Sequence, residues 1–290
     1  MKRLIPIILC ILLLTGCTTP AVYEGPTKSA WVLSEQKSTY HSDEYGAVED
    51  LRATYAYDSF GNQIRILTYQ DGELSSEREY TYDDRGNVTS LVIRDHSGLI
   101  PRTTSRISYT YDAQNRPLAT IYHNFLGLER RRDTYTYDDG ENTILWEGAY
   151  DTKTTWMDQD GNILRTLLYS EPTDVWMESL CEYDGLGRNT KITSYYDEAL
   201  SSVTELVYDD QDRILEETYR GADGTVYSRI TYHYGENTVT TYDLNGVKTV
   251  ETRRPDGQVE KIEQYSKNGQ LTRVTQYTYT EIRVPADREE

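Results

Sequence analysis

The sequence predicts an all-β fold, a continuous antiparallel meander of hairpins that rolls or spirals on itself. Three observations carry this reading. A Tyr-Asp turn unit recurs along most of the chain, and residues alternate with period two before each turn. The patterned stretch is also long enough for on the order of 20 strands, at about 12 residues per strand and turn.

The turn unit explains itself chemically. Tyr57-Asp58-Ser59-Phe60-Gly61, Tyr82-Asp83-Asp84-Arg85-Gly86 and Tyr111-Asp112-Ala113-Gln114-Asn115 are followed by units opening at Tyr183-Asp184, Tyr208-Asp209 and Tyr242-Asp243. Weaker copies open at Met157-Asp158 and Tyr265-Ser266, and Tyr137-Asp138 and Tyr234 begin variant turns. Asp at the first turn position accepts a hydrogen bond from a backbone N–H two residues on, which favours a type I turn. Three residues after each Asp stands Gly61, Gly86, Asn115, Gly187, Asp212 or Gly246. These are the residue types that best tolerate the positive φ of a bulged hairpin.

The flanking segments read as strands. Tyr55-Ala56-Tyr57, Tyr80-Thr81-Tyr82, Tyr109-Thr110-Tyr111 and Tyr135-Thr136-Tyr137 put both tyrosines on one face. Cys181-Glu182-Tyr183 places Cys in the first Tyr slot, so Cys181 reads as a packing residue. Apolar residues such as Ile64, Val88, Leu118 and Ile163 follow the turns, and a second turn such as Gln70-Asp71-Gly72 or Ala222-Asp223-Gly224 reverses the chain again. Open sheets seldom pass ~10 strands without curling. The Tyr and aliphatic face is expected inward, and with 27 Tyr against 2 Phe its hydroxyls need partners or water, giving a partly wet interior.

The N-terminal segment has a different character. Lys2 and Arg3 precede an apolar run from Leu4 to Leu14, then Thr15, Gly16 and Cys17. Such a run spans about 16 Å as a helix, against the roughly 30 Å of a bilayer core, so it reads as an export signal. Leu14-Thr15-Gly16-Cys17 resembles the lipobox of bacterial lipoproteins, which implies cleavage before Cys17 and a diacylglycerol on its sulfur. The expected organisation is a signal peptide at 1–16, a lipidated tether at 17–29, a β domain at 30–284 and a polar tail at 285–290. Arg283, Pro285 and the tail are expected to shield the last strand from edge pairing. Loss of residues 1–16 removes two of 30 bases and none of 48 acids, taking the net charge from −18 to −20. Such a surface repels phosphate backbones and excludes nucleic acid as a partner.

The Tyr-x-Tyr-Asp-x-x-Gly-Asn units resemble the YD repeats of the RHS and teneurin-type family over nearly all of residues 31–284. That resemblance implies a long spiralling β-sheet and a place at the cell surface. The family's large members enclose a toxic C-terminal segment in a shell. This chain has about ten units and no separate effector domain, so toxin activity is not implied. A second, less close resemblance is to MORN-like hairpin repeats, at Tyr265 to Leu271.

Catalytic and metal signatures were sought among the remaining residues. His41, His96, His123 and His233 show no metal-ligand spacing, and no cofactor motif is present. Asp95-His96-Ser97 reads as a solvated turn, because triads assemble from distant positions. An EF-hand around Asp158 would need Trp156 and Leu167 as its end ligands, and neither carries a coordinating oxygen. Trp146, Trp156 and Trp176, within the irregular stretch 138–180, are the candidate ligand-binding residues.

The expected function is a non-enzymatic binding or structural module, lipid-anchored at Cys17. Its place is the extracytoplasmic face of the cell membrane, or the outer membrane or periplasm of a Gram-negative cell. Its expected partners are the membrane, through the lipid, and an envelope glycan or surface protein. The alternatives are a carbohydrate-handling hydrolase using interior carboxylates and a remnant of an RHS-type polymorphic toxin system.

Overall fold

The computed structural model describes residues 27–42, 46–98 and 100–286. The signal peptide, Cys17 and tether residues 17–26 lie outside the described residues. Twenty strands follow one another. The first ten are β1 (Thr27–Ser42), β2 (Gly46–Tyr57), β3 (Gln63–Gln70), β4 (Glu73–Tyr82), β5 (Val88–Asp95), β6 (Arg102–Tyr111), β7 (Pro117–His123), β8 (Glu129–Asp138), β9 (Thr143–Glu147) and β10 (Asp151–Met157). The second ten are β11 (Ile163–Ser170), β12 (Val175–Tyr183), β13 (Asn189–Tyr196), β14 (Ala199–Tyr208), β15 (Ile214–Gly221), β16 (Val226–Tyr234), β17 (Thr238–Asp243), β18 (Lys248–Arg253), β19 (Val259–Tyr265) and β20 (Leu271–Pro285). The first strand begins at Thr27, inside the segment read from sequence as tether.

Each strand pairs antiparallel with the next, and β1 pairs with β20 from Thr27↔Pro285 to Tyr40↔Arg273. The rolled sheet is therefore a closed 20-stranded barrel. This corrects the expectation of a shielded last edge: Val284 and Pro285 are buried ladder residues opposite Lys28 and Thr27. Each strand touches its two neighbours and no other strand among the described residues. Barrels of 16–18 strands already leave an aqueous channel, so about 20 strands enclose more width than side chains can fill. Among the described residues no large side chain is fully buried, as a shell without a packed core requires.

The turns follow the chemistry read from the sequence. In the first, the Gly61 N–H donates to Asp58 O and the Asp58 N–H to Asn62 O, while Asp58 Oδ1 accepts from the Phe60 and Asn62 N–H groups. Asn115 and Asp212, standing where Gly stands elsewhere, take φ of 63° and 61°. The tyrosines beside the turns are half-buried, and Ala56, Thr81, Thr110 and Thr136 between them are exposed.

The tyrosine hydroxyls have a specific task. In the later part of an even strand, each donates to a backbone carbonyl of the strand before it, at that strand's first residue in every case but Tyr57, whose acceptor Leu33 lies inside β1. Tyr57 reaches Leu33 O at 2.8 Å, Tyr111 reaches Val88 O at 3.0 Å and Tyr208 reaches Asn189 O at 2.7 Å. Tyr82, Tyr137, Tyr183, Tyr234 and Tyr279 do the same. The carbonyls lie where the ladder frays: β3–β4 pairing stops at Arg65↔Glu79, and Tyr82 satisfies Gln63 O beyond it. Only β10, ending in Met157, and β18, ending in Arg253, break this series among the even strands.

The repeat does not keep to one end of the barrel. Asp58, Asp83, Asp112, Asp138, Asp158, Asp184 and Asp209 all follow even strands and form one rim. Tyr242-Asp243 and Tyr265-Ser266 end β17 and β19, so these copies lie on the far rim. The turn motif specifies a local reversal and carries no information about which end the reversal occupies.

Two predictions follow from these contacts. Tyr111→Phe leaves the Val88 carbonyl without its donor, at a cost of about 1 kcal/mol in chemical denaturation, and Asp112→Ala costs more, about 1–3 kcal/mol. A fully stable Tyr111→Phe protein would remove the clasp from this account. The second concerns alkali. Burial pushes the Tyr57, Tyr109 and Tyr111 hydroxyls up to about 12. Their stabilisation is complete below the unfolded value of about 10 and is lost as pH rises through the folded value. The sheet should unfold in that window with a coincident rise in phenolate absorbance. Phenolate formation near pH 10 with the circular dichroism unchanged would contradict it.

Candidate functional site

The two rims are built differently. At the aspartate rim the residue four after Asp returns to its carboxylate, and several such residues also reach the next turn. Arg116 Nε lies 2.7 Å from Asp112 Oδ2, its NH1 2.5 Å from Asp139 Oδ1, and its guanidinium 4.3 Å from the Tyr137 ring centre. Arg188 repeats the arrangement with Asp184, Asp212 and Tyr208. The Asn162 amide, with backbone N–H groups, holds Asp158 below the usual carboxylate range, and the Arg188 backbone N–H does so for Asp184. The turn carboxylates of this rim are thus largely satisfied within it, while the Asn189 and Gln258 amide oxygens there are buried without a partner.

The far rim is where exposed aromatic residues gather. Tyr40, Phe125, Tyr150, Trp176, Tyr196, Tyr219, Tyr227 and Tyr242 all lie at or beside it, and Trp31 is the exception among exposed aromatics of the described residues.

Strand alternation separates the three candidate tryptophans. Trp146 stands opposite Tyr135 on the face of the clasping tyrosines. Trp156, opposite Arg165, and Trp176, opposite Tyr169, lie together on the other face. The sheet therefore puts Trp156 and Trp176 on one face and Trp146 on the other, because residues 146 and 156 have opposite parity across the β9–β10 register.

Around that pair the structure assembles a strip. Trp176 is 46% exposed and stacks on Tyr169, with ring centres 4.5 Å apart. The Tyr169 hydroxyl donates to Asp174 Oδ1, which raises its pKa. Further along, the Arg165 guanidinium lies 4.6 Å from the Trp156 ring centre and donates from Nε to Glu178 Oε1 at 2.5 Å. Arg165, Leu167, Trp176, Glu178, Asp197 and Glu198 line a cleft of about 430 Å³.

The carboxylate edge of the cleft is held by unusual backbone. Asp197 and Glu198 form a two-residue hairpin with φ of 47° and 66°. Such a turn ordinarily takes Asn-Gly or Asp-Gly, and Glu at positive φ costs about 1–2 kcal/mol. The turn is locked to the platform: the Trp176 N–H donates to Asp197 Oδ1, and the Asp197 N–H to Trp176 O, both at 2.9 Å. Sequence reasoning missed Arg165, Tyr169, Glu178, Asp197 and Glu198. The available signal was the period-two pattern of 163–170 and 175–183, which puts Arg165, Leu167 and Tyr169 on one face.

Other residues singled out in the sequence fall as follows. His96 is not solvated: its Nε2 lies 3.1 Å from Glu77 Oε2, in a cluster with Arg65 and Arg94 around a carboxylate only 5% exposed. Ser97 instead donates to Asp95 Oδ1. Cys181 is half-buried, and burial raises its thiol pKa, so it is held away from the reactive thiolate. Among the described residues no group of three or more His, Cys, Asp or Glu side chains is placed to hold a metal ion.

Glu198→Gly should relieve the turn and raise stability by about 1 kcal/mol, seen as a higher Tm. A lower Tm would mean that the Glu198 side chain contributes contacts outweighing its backbone strain.

No protein-family model and no curated protein matches this chain. Among solved structures, the TcdB2-TccC3 complex without its hypervariable C-terminal region is similar at 11% identity and a TM-score of 0.34, over 89% of this chain and 18% of that one. The chain thus spans under a fifth of that protein's length. A porin-like protein from Bacteroides uniformis aligns at 13% identity and a TM-score of 0.42, over 90% of this chain and 100% of its own. A porin-like protein from Bacteroides vulgatus aligns at 12% identity and a TM-score of 0.24, over 86% and 99%.

Proposed function

We propose that this protein is a lipid-anchored, non-enzymatic binding module of the bacterial cell envelope, holding an extended glycan along the strip from Trp176 to Trp156. The observation that carries this reading is the stacked Trp176–Tyr169 platform beside Glu178, Asp197 and Glu198. Sugar rings present an apolar C–H face and a hydroxyl edge, which suit an aromatic surface flanked by acceptors. Glu178 is ion-paired with Arg165 at 2.5 Å, which fixes the position of its carboxylate beside the platform. Across the described residues every carboxylate whose pKa moves is held low, as at Glu77, Asp83 and Glu216.

The topology supports an anchored orientation. β1 enters from the aspartate rim at Thr27, so a tether from Cys17 meets the barrel at the end opposite the Trp176 cleft. A membrane-spanning role suits the barrel poorly. Glu77 and Glu79 share one face of β4 and Arg78 the other, and β8 likewise carries Arg131 and Asp133 on one face and Arg130 and Arg132 on the other. A basic side chain facing lipid at mid-bilayer costs about 2–4 kcal/mol.

One experiment addresses both parts. Cys17→Ser should move the protein from membrane to soluble fractions, and the purified protein should retain an envelope glycan on an array. Trp176→Ala should weaken that binding about 3- to 10-fold. Glycan turnover abolished by a single Asp or Glu substitution would replace this reading with a hydrolase.

A further inference from the structure

The bulged turns of this barrel put their second and third residues at the tip, clear of the sheet. In several copies that pair is polar or small, as in Asp84-Arg85, Ala113-Gln114, Gln159-Asp160 and Asp210-Gln211, and Ser59-Phe60, Gly185-Leu186 and Leu244-Asn245 carry one large apolar residue each. The turn at Asn124 on the far rim has the same geometry. Asn124 Oδ1 accepts from the Leu126 and Leu128 N–H groups, and the Gly127 N–H donates to Asn124 O. Its tip, however, is Phe125-Leu126, 76% and 68% exposed. Ile100, on the neighbouring turn of the same rim, is 80% exposed.

The tip is held firmly. With the His123 Nδ1–H donating to Gly127 O, Nε2 accepts from the Ser108 hydroxyl at 2.7 Å, tying turn, β7 and β6 together. Behind the tip the charge reverses sign relative to the whole chain. Residues 100–106 and 124–133 contain five arginines and two acids, in a protein of net charge −18. Arg102 pairs with Asp95, Arg131 with Asp133 and Arg132 with Glu129, which leaves Arg106 and Arg130 as the exposed cations without an ion pair among the described residues.

We propose that this corner of the far rim docks on an anionic lipid bilayer, Phe125 and Leu126 entering the acyl boundary and the arginines meeting the phosphate layer. The patch is convex, with apolar groups outermost and cations set back, the same order in depth as a bilayer's hydrocarbon and headgroups. A pre-formed tip also loses little conformational freedom on insertion. The site is separate from the Trp176 cleft and is independent of the Cys17 anchor, whose tether enters at the opposite rim, so the bilayer it meets need not be the one holding that anchor.

The test uses a chain beginning at Thr18, which lacks any lipid site and keeps every strand of the closed sheet. It is floated with phosphatidylcholine vesicles with and without about 30% anionic phospholipid, a fraction chosen to set a clear negative surface potential. Binding is expected to anionic vesicles only and to fall in high salt. Phe125→Gln with Leu126→Asp gives the tip the pair found in the Asp158 turn, so the fold is kept, and it should reduce binding at least tenfold. The swap Phe125→Leu with Leu126→Phe should retain it. No binding to anionic vesicles, or binding indifferent to the Gln-Asp tip, overturns the proposal. Concentration-dependent self-association abolished by the Gln-Asp tip, without vesicle binding, overturns it in favour of a contact between two copies.

Discussion

Everything in this molecule depends on the pairing of β1 with β20. An open sheet of twenty strands would present two edges of unpaired N–H and C=O groups, each a template for another chain. The register from Thr27↔Pro285 to Tyr40↔Arg273 removes both at once. It also compensates for what the fold lacks. With so few buried apolar side chains, stability must come from a continuous ladder and from contacts between neighbouring strands, and a ladder frays from its ends. Closing it leaves frayed points only at the rims, and there the tyrosine hydroxyls satisfy the exposed carbonyls.

That division gives the rims separate roles. The aspartate rim is a chain of short-range dependencies in which Asp orders its own turn, the Arg or Asn four residues on returns to Asp, and Arg stacks on the next Tyr. Each such contact contributes little at a protein surface. Their value lies in repetition around the circumference, where each turn limits the position of the next. The far rim has fewer such links, and its turns vary in length and composition. Residues there are free to be aromatic, acidic or apolar without disturbing closure.

Most of the fold was legible because most of it is local. Asp at a turn start, and Gly, Asn or Asp three residues on, have consequences within five residues, and Asn115 and Asp212 behave as their chemistry requires. The number of strands follows from counting turns. Closure was not legible, since β1 and β20 meet from opposite ends of the chain and neither carries a sign of its partner. The shift of Tyr242-Asp243 to the far rim was hidden for a related reason, as a turn motif is silent about parity. At the candidate site, proximity in sequence suggested three tryptophans, and only the pairing register divides Trp146 from Trp156 and Trp176.

The most repeated residues are for the same reason the least informative about binding. A tyrosine that recurs before each turn meets a need that recurs with it, here an unsatisfied carbonyl at every frayed end. A residue that departs from its repeat meets a need found once. Glu198 at positive φ, Trp176 facing solvent and Phe125-Leu126, two large apolar residues at a tip where sister turns carry at most one, are such departures. Neither the ladder nor the tyrosine clasps account for these residues, and it is on them that the proposed binding strip and docking tip are built.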